Sequence, residues 1–220
     1  MASIRRSDVP HVYTDGASLY TRNLIPGASV YGERLVREGG VEYRRWDPRR
    51  SKLAALLTKG VGFFPFDRRT DVLYLGAAQG TTVSHLSDIC VEGVIHAVEV
   101  SRRAFQKLFD LSEHRPNVMP ILADASMPET YEKLVAPVHT LYQDVAQRDQ
   151  VEIFRRNLRF LRPGGHGILI VKARSADVTA KPQAIYEAAR RELAAELDVL
   201  QVTELDPYEA DHAAIVVDNA

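Results

Sequence analysis

Short apolar runs alternate with amphipathic stretches from Ser51 to the end of the chain, and that alternation predicts strands and helices in turn. SKLAALLTKG reads as a short helix closed by Gly60. DVLYL, VIHAVEV, NVMPILA, VHTLYQD and GHGILIVKA read as strands, and the near-continuous apolar character of the last fits a strand covered on both faces. Helices fall between them. One opens on Thr81 and Thr82, one spans residues 101–112, and a short one lies near 128–135. Another covers 150–161, where Pro163-Gly164-Gly165 should stop it, and the longest covers 181–197. LDVLQVTEL and HAAIVVD close the chain with only residues 206–211 between them, which calls for an antiparallel hairpin. The result is an α/β fold with a mostly parallel, Rossmann-like sheet, helices on both faces and an antiparallel hairpin at the end.

Residues 1–50 follow a different rule. HVYTD, SLYTRNL, ASVYGERLV and VEYRRWD are separated by turn signals at Asp15-Gly16, Pro26-Gly27 and Gly39-Gly40. They read as strands of a small antiparallel sheet, too small to stand alone and expected to pack on the larger unit. The chain thus divides into a small β domain over 1–50 and an α/β domain over 51–220. With 220 residues and 45% hydrophobic content it can bury one full core plus such an addition.

The stretch DVLYLGAAQGTTVSHLSD, from Asp71, carries the strongest chemical signal. A strand enters a turn containing Gly76 and Gly80, and a helix opens directly after it. Such a turn presents bare backbone N–H groups and a helix N-terminus to a ligand. Its spacing is Gly-x-x-x-Gly, with Ala78 and Thr81 where a dinucleotide turn has its second and third glycines. A pyrophosphate needs those glycines for close approach, whereas the methionine end of S-adenosylmethionine does not. The turn therefore reads as a methyl-donor site, and a parallel sheet ending in an antiparallel hairpin is the layout of class I S-adenosylmethionine-dependent methyltransferases. A dehydrogenase using NAD is the competing reading.

Composition narrows the setting. No apolar run approaches the ~20 residues that span a bilayer, so no membrane association is expected. MASIRRSDVPHVY has no apolar stretch after its arginines and does not read as a secretory signal, which points to the cytoplasm. A single cysteine, Cys90, excludes an internal disulfide and a cysteine-cluster zinc site, and no metal is expected. Net charge is −1, whereas free-standing RNA binders carry a basic surplus. An RNA substrate would need a partner or a local basic face, and Arg44, Arg45, Arg49 and Arg50 beside Lys52 form such a run.

Ligands of open α/β sheets lie beyond the carboxyl ends of the strands. Glu99 ends the second strand, 23 positions after Gly76, where a carboxylate can accept from the ribose hydroxyls of either nucleoside cofactor. Asp124, followed by Ala125, ends the third and suits an adenine amine or an ordinary turn equally. Asp144 ends the fourth, at the sheet's centre. Lys172 interrupts the fifth, where a buried lysine is costly unless paired, and Asp144 is its expected partner. Lys52 and His212, taken singly, are a solvated lysine and a strand-edge histidine.

Together the segments LYTRNLIPGASVYGE, YRRWDPRRSKLAA, VLYLGAAQGTTVSHLSD, DVAQRDQ, VKARSADVT and DPYEADHA resemble the fibrillarin family, in its archaeal fibrillarin-like form, over nearly the whole chain. The resemblance implies 2′-O-methylation of ribose in rRNA and tRNA with S-adenosylmethionine as donor. It further implies a box C/D guide RNA, a Nop-domain scaffold protein and a kink-turn-binding ribosomal-type protein as partners in a ribonucleoprotein particle in the archaeal cytoplasm. Donor contacts would fall on Thr81, Thr82, Glu99, Val100, Asp124, Ala125 and the stretch Asp144, Val145, Ala146 and Gln147. The catalytic tetrad would be Lys52, Asp144, Lys172 and His212. Gln79, Val100 and Arg102 depart from the family's usual Ser, aromatic and Pro, away from the chemistry. Methyl transfer to a hydroxyl is an in-line displacement, so the protein must align the reactants and help deprotonate the nucleophile. On this resemblance Lys172 lies beside the attacking oxygen, Asp144 fixes its position, and His212 orients Lys52 or the ribose.

Overall fold

The computed structural model describes residues 3–219; residues 1, 2 and 220, at the outer ends of the two expected domains, lie outside them. The N-terminal sheet contains β1 (Arg5–Arg6), β2 (Tyr13–Thr14), β3 (Leu19–Arg22), β4 (Leu35–Glu38) and β5 (Val41–Trp46). It is antiparallel throughout, in the order β1-β2-β3-β5-β4. Only the end of ASVYGERLV joins it. The Glu33 carboxylate accepts from the N–H groups of Val30 (3.0 Å) and Tyr31 (2.9 Å), so that backbone closes on a side chain and forms a loop instead of a strand.

The large sheet contains β6 (Val72–Leu75), β7 (Ile95–Glu99), β8 (Val118–Leu122), β9 (Val138–Gln143), β10 (Leu161–Lys172), β11 (Asp198–Glu204) and β12 (His212–Asn219). Their order is β11-β12-β10-β9-β6-β7-β8, with β12 antiparallel to both neighbours and the strands from β10 to β8 parallel. The helices are α1 (Lys52–Lys59), α2 (Thr81–Ile89), α3 (Arg102–Ser112), α4 (Gln150–Asn157), α5 (Ala173–Ala176) and α6 (Pro182–Leu193). One face packs Leu53, Leu56 and Val83 against Tyr74, Tyr142 and Ile168; the other packs Ile153, Phe154 and Leu193 against Leu141 and Leu169. Successive residues such as Ile168 and Leu169 enter different clusters, as the pleat requires. No helix among the described residues is long and apolar enough to cross a membrane.

Three expected elements differ. Helix α4 stops at Asn157, a 3₁₀ turn (Leu158–Phe160) follows, and β10 begins before Pro163-Gly164-Gly165 and runs through it. A register shift against β9 between Leu161 and His166 accommodates the proline as a bulge. The expected short helix near 128–135 is two 3₁₀ turns, Pro128–Thr130 and Glu132–Leu134. Helix α6 is the longest, as expected, but begins with Pro182 in its first turn and ends at Leu193.

The two sheets are joined by a buried polar cluster centred on Asp88 of α2. Its carboxylate accepts from Thr21 Oγ1 (2.7 Å) and Leu24 N–H (3.0 Å) of the small sheet's side, and from the Arg44 (2.8 Å) and Arg115 (2.7 Å) guanidiniums. Arg44, on β5, also donates to Glu33 (2.6 Å) and to Ser84 Oγ of α2 (2.9 Å). Because the Thr21 hydroxyl spends its one hydrogen on Asp88, it must accept from His85 Nδ1–H at 2.8 Å, which leaves Nε2 as the ring's acceptor, 2.8 Å from the Tyr31 oxygen and sharing that hydroxyl's one hydrogen with the Arg45 carbonyl at 3.0 Å. Burial, with Arg44 and Arg115 nearby, pushes the His85 imidazole well below its ordinary 6.5, so it stays neutral.

Removing the charge at the hub strands two buried arginines, and Asp88→Asn is expected to cost about 3–5 kcal/mol in denaturant unfolding. A second expectation concerns acid. The unfolded chain protonates His85 near 6.5 and the folded one does not, so this contribution is complete above that pH and is lost as pH falls below it. A His85→Phe variant should show a shallower loss of unfolding free energy between about pH 7 and 5 than the wild type.

Candidate active site

The turn after β6 is shaped by three left-handed residues, Gly76 (φ 80°), Ala78 (φ 49°) and Gly80 (φ 87°). A Cβ on Gly76 would lie 2.3 Å from the Asp144 carbonyl oxygen, so only glycine lets the ends of β6 and β9 meet. Ala78 donates its N–H to Glu99 Oε2 at 2.8 Å, while Glu99 Oε1 accepts from Ser101 N–H at 2.7 Å. Glu99 thereby locks the turn to the end of β7. A carboxylate has about four acceptor positions, so acceptor capacity remains for ribose hydroxyls.

Helix α2 opens from Gly80 with no side chain capping it, which leaves its first-turn N–H groups available to a carboxylate. The Thr82 hydroxyl turns inward to Ser51 Oγ (2.9 Å), so Thr82 offers its main chain only, whereas Thr81 is half-exposed. Val100, 57% exposed, presents an apolar surface beside Glu99. Asp124 accepts from Ser126 N–H at 2.8 Å, and bonds from the Ser126 amide and hydroxyl hold its carboxyl below the usual range. The Ala125 carbonyl is taken by Asn157 (2.9 Å), and Val145 is buried beside Gly76. Ala146 is exposed and Gln147 half-exposed. This donor set suits a nucleoside joined to an amino acid: a helix start for the carboxylate, Glu99 for ribose and Asp124 for an amine.

The four expected catalytic residues come to the carboxyl side of the sheet. Ser51 caps α1 and Lys52 is its first residue, with Nζ donating to Asp144 Oδ2 at 2.8 Å. Lys172 and His212 are direct cross-strand partners between β10 and β12. Both main-chain groups of Lys172 are bonded to Gln150, away from β12, so this is a non-hydrogen-bonded pair, the class whose Cα atoms approach to about 4.5 Å. Alternation puts Lys172 with Ile168 and Ile170, His212 with Ala214 and Val216, and Asp144 with Tyr142, all on the face covered by α1. His212 Nδ1 donates to the Ala210 carbonyl (2.7 Å), leaving Nε2 as the acceptor in the neutral ring. Tyr74 and Tyr142 pack ring against ring at 4.5 Å in the core beneath this face. Burial first, and the Asp144 charge among the further causes, push both phenols upward and keep them protonated.

Two expectations are corrected. Asp144 pairs with Lys52 and not with Lys172, whose ammonium makes no hydrogen bond or ion pair among the described residues. Lys172 ends its strand half-exposed, so its amine reaches solvent and needs no carboxylate. Arg44 does not belong to the basic face: its side chain is fully buried in the Asp88 cluster and is closed to phosphate. Arg45, Arg49 and Arg50 are exposed, and the last two open into separate clefts, Arg49 over the Tyr208 ring (6.0 Å) and Arg50 over Tyr31 (5.7 Å). Ser51 and Gln150 were not foreseen as site residues. Ser51 carried a signal, a serine directly before a helix; Gln150 carried none.

A sequence model described as Fibrillarin matches residues 5–220. The "Fibrillarin-like rRNA/tRNA 2'-O-methyltransferase" of Methanopyrus kandleri is 51% identical over 201 residues, 90% of this chain and 87% of that protein. Aeropyrum pernix fibrillarin, solved with natively bound S-adenosyl-L-methionine, superposes with a TM-score of 0.90 at 45% identity, covering 98% of this chain and 97% of that one. A fibrillarin/Nop5p complex contains a chain with a TM-score of 0.89 and 41% identity, over 96% of this chain and 98% of that one. Fold and site thus define a class I methyltransferase that uses S-adenosylmethionine, and the dehydrogenase reading falls. More narrowly, the chain belongs to the fibrillarin family.

Gly76→Ala tests the turn. Left-handed backbone and overlap with the Asp144 carbonyl should together cost about 2–4 kcal/mol in unfolding, with S-adenosylmethionine affinity lowered in calorimetry.

Proposed function

We propose that the protein methylates the 2′-hydroxyl of ribose in rRNA and tRNA, at nucleotides chosen by a box C/D guide RNA, as the catalytic subunit of a cytoplasmic ribonucleoprotein particle. The observation that carries this is the Lys52–Asp144 ion pair and the Lys172/His212 cross-strand pair on one sheet face, beside a turn suited to the donor. When bound, S-adenosylmethionine supplies a methyl group on a sulfonium, already activated and needing no acid for its leaving group. Thr81 and Thr82 through their main chain, Glu99, Val100, Asp124, Ala125 and the loop from Asp144 to Gln147 hold that donor.

Lys172, acting as the neutral amine, takes the proton from the ribose 2′-oxygen as that oxygen attacks, and becomes an ammonium that returns its proton to solvent. Asp144 fixes Lys52 as a cation that attracts the electron-rich oxygen, and His212 Nε2 accepts a hydrogen bond that orients the ribose. General-base help contributes about 10²–10⁴-fold, and alignment supplies much of the remainder. A net charge of −1 leaves Arg45, Arg49 and Arg50 as a local attraction only, so the isolated chain binds RNA weakly. A Nop-domain scaffold and a kink-turn-binding ribosomal-type protein then deliver the guide and target; a relative's structure as a fibrillarin/Nop5p complex supports the first.

Reconstitution with a box C/D guide, both protein partners and labelled donor should place the methyl group on one guided ribose. Lys172→Ala should lower turnover by about 10²–10⁴-fold while donor affinity stays within about twofold. A wild-type rate in that variant, or label on a base, overturns the proposal.

A further inference from the structure

Gln143, the last residue of β9, is also the last to pair with β10, opposite Leu169. Residues 170–172 therefore project beyond β9, while β12 continues beside them as far as the Lys172–His212 pair. The N–H and C=O of Lys172 point toward the side that β9 has left, and a part-buried strand end with two unpaired main-chain groups would fray. Gln150 closes that gap. Its Oε1 accepts from Lys172 N–H at 2.8 Å and its Nε2 donates to the Lys172 carbonyl at 3.1 Å, so one side-chain amide replaces a neighbouring strand's peptide.

The same residue is tied to β9. The Gln150 carbonyl accepts from Gln143 Nε2 at 2.6 Å, and both glutamines are buried. This bond closes the loop over residues 144–149, which begins with Asp144. A continuous chain of bonds thus runs from the end of β9, through the first residue of α4, to the main chain of Lys172.

We propose that Gln150 is a positioning residue for methyl transfer, holding Lys172 in fixed relation to Asp144 and the donor loop. The inference rests on the reading of Lys172 as the group that takes the 2′-hydroxyl proton. It explains how Lys172 is placed without a partner for its ammonium: the constraint acts on the backbone and leaves the amine unencumbered. It also explains the residue type. An amide supplies one donor and one acceptor, glutamate supplies acceptors only, and methionine fills the space with neither.

The test is a double-mutant cycle in the reconstituted particle. Gln150→Met should lower kcat by about 10–100-fold, the scale of an ångström-level misplacement, with KM for the donor within about twofold. Gln150→Glu, which keeps the acceptor, should fall between it and the wild type, and serves the same cycle if the methionine variant does not fold. Added to Lys172→Ala, neither change should slow turnover further. Wild-type kcat in Gln150→Met, or a loss that multiplies in full with that of Lys172→Ala, overturns the positioning role. Lys172→Ala turning over at the wild-type rate overturns the underlying assignment instead, and the single variants separate the two failures.

Discussion

Arg44 and Arg115 are both buried against one carboxylate, and neither sheet of this protein can be placed without satisfying that cluster. Asp88 accepts from both arginines and from Thr21 and Leu24, so its charge is neutralised only when β3, β5 and α2 are assembled together. Apolar contacts, Trp46 and Val12 among them, tolerate small shifts between the sheets. A four-donor carboxylate in a dry site does not, because each misaligned donor leaves a buried polar group unpaired.

The active site inherits that placement through a short run of chain. β5 ends at Trp46, stacked on His85 at 4.9 Å, and the chain reaches Ser51 within one turn. Ser51 meets Thr82 at the start of α2, and the next residue, Lys52, meets Asp144. The helix that opens the donor site and the helix that carries Lys52 are thus fixed to each other at their first residues. The small sheet, through that run of chain, sets the position of α1 over the large one.

Much of this was legible in the chain. The parallel strands announced themselves as apolar runs, the glycine turn by its spacing, and the family by several motifs in order. What stayed hidden depended on contacts between distant residues. Arg44 sits in a run of arginines, and only the pairing of β5 with β3 and β4 decides that it faces Asp88 while Arg45 faces solvent. Pro163-Gly164-Gly165 has the composition of a stop, yet a bulge carries β10 through it because Gly165 permits the close approach to the Arg162 and His139 carbonyls. Gln150 looks like an ordinary first-turn residue. Its role exists only because β9 ends three residues short of the end of β10, a difference in strand length that no local pattern encodes.

The two lysines show why such placement matters. Lys52 is held through its side chain, by an ion pair whose partners are each only about a fifth exposed. The Asp144 carboxylate at 2.8 Å holds the end of that side chain in one place. Lys172 is held through its backbone, and the arrangement places no carboxylate on its amine. The sequence pattern suggested Asp144 as the partner of Lys172, and the structure gives that carboxylate to Lys52 instead. One lysine is held at its amine by a carboxylate and the other at its main chain by a neutral amide, so two identical side chains are constrained in opposite ways on one face of the sheet.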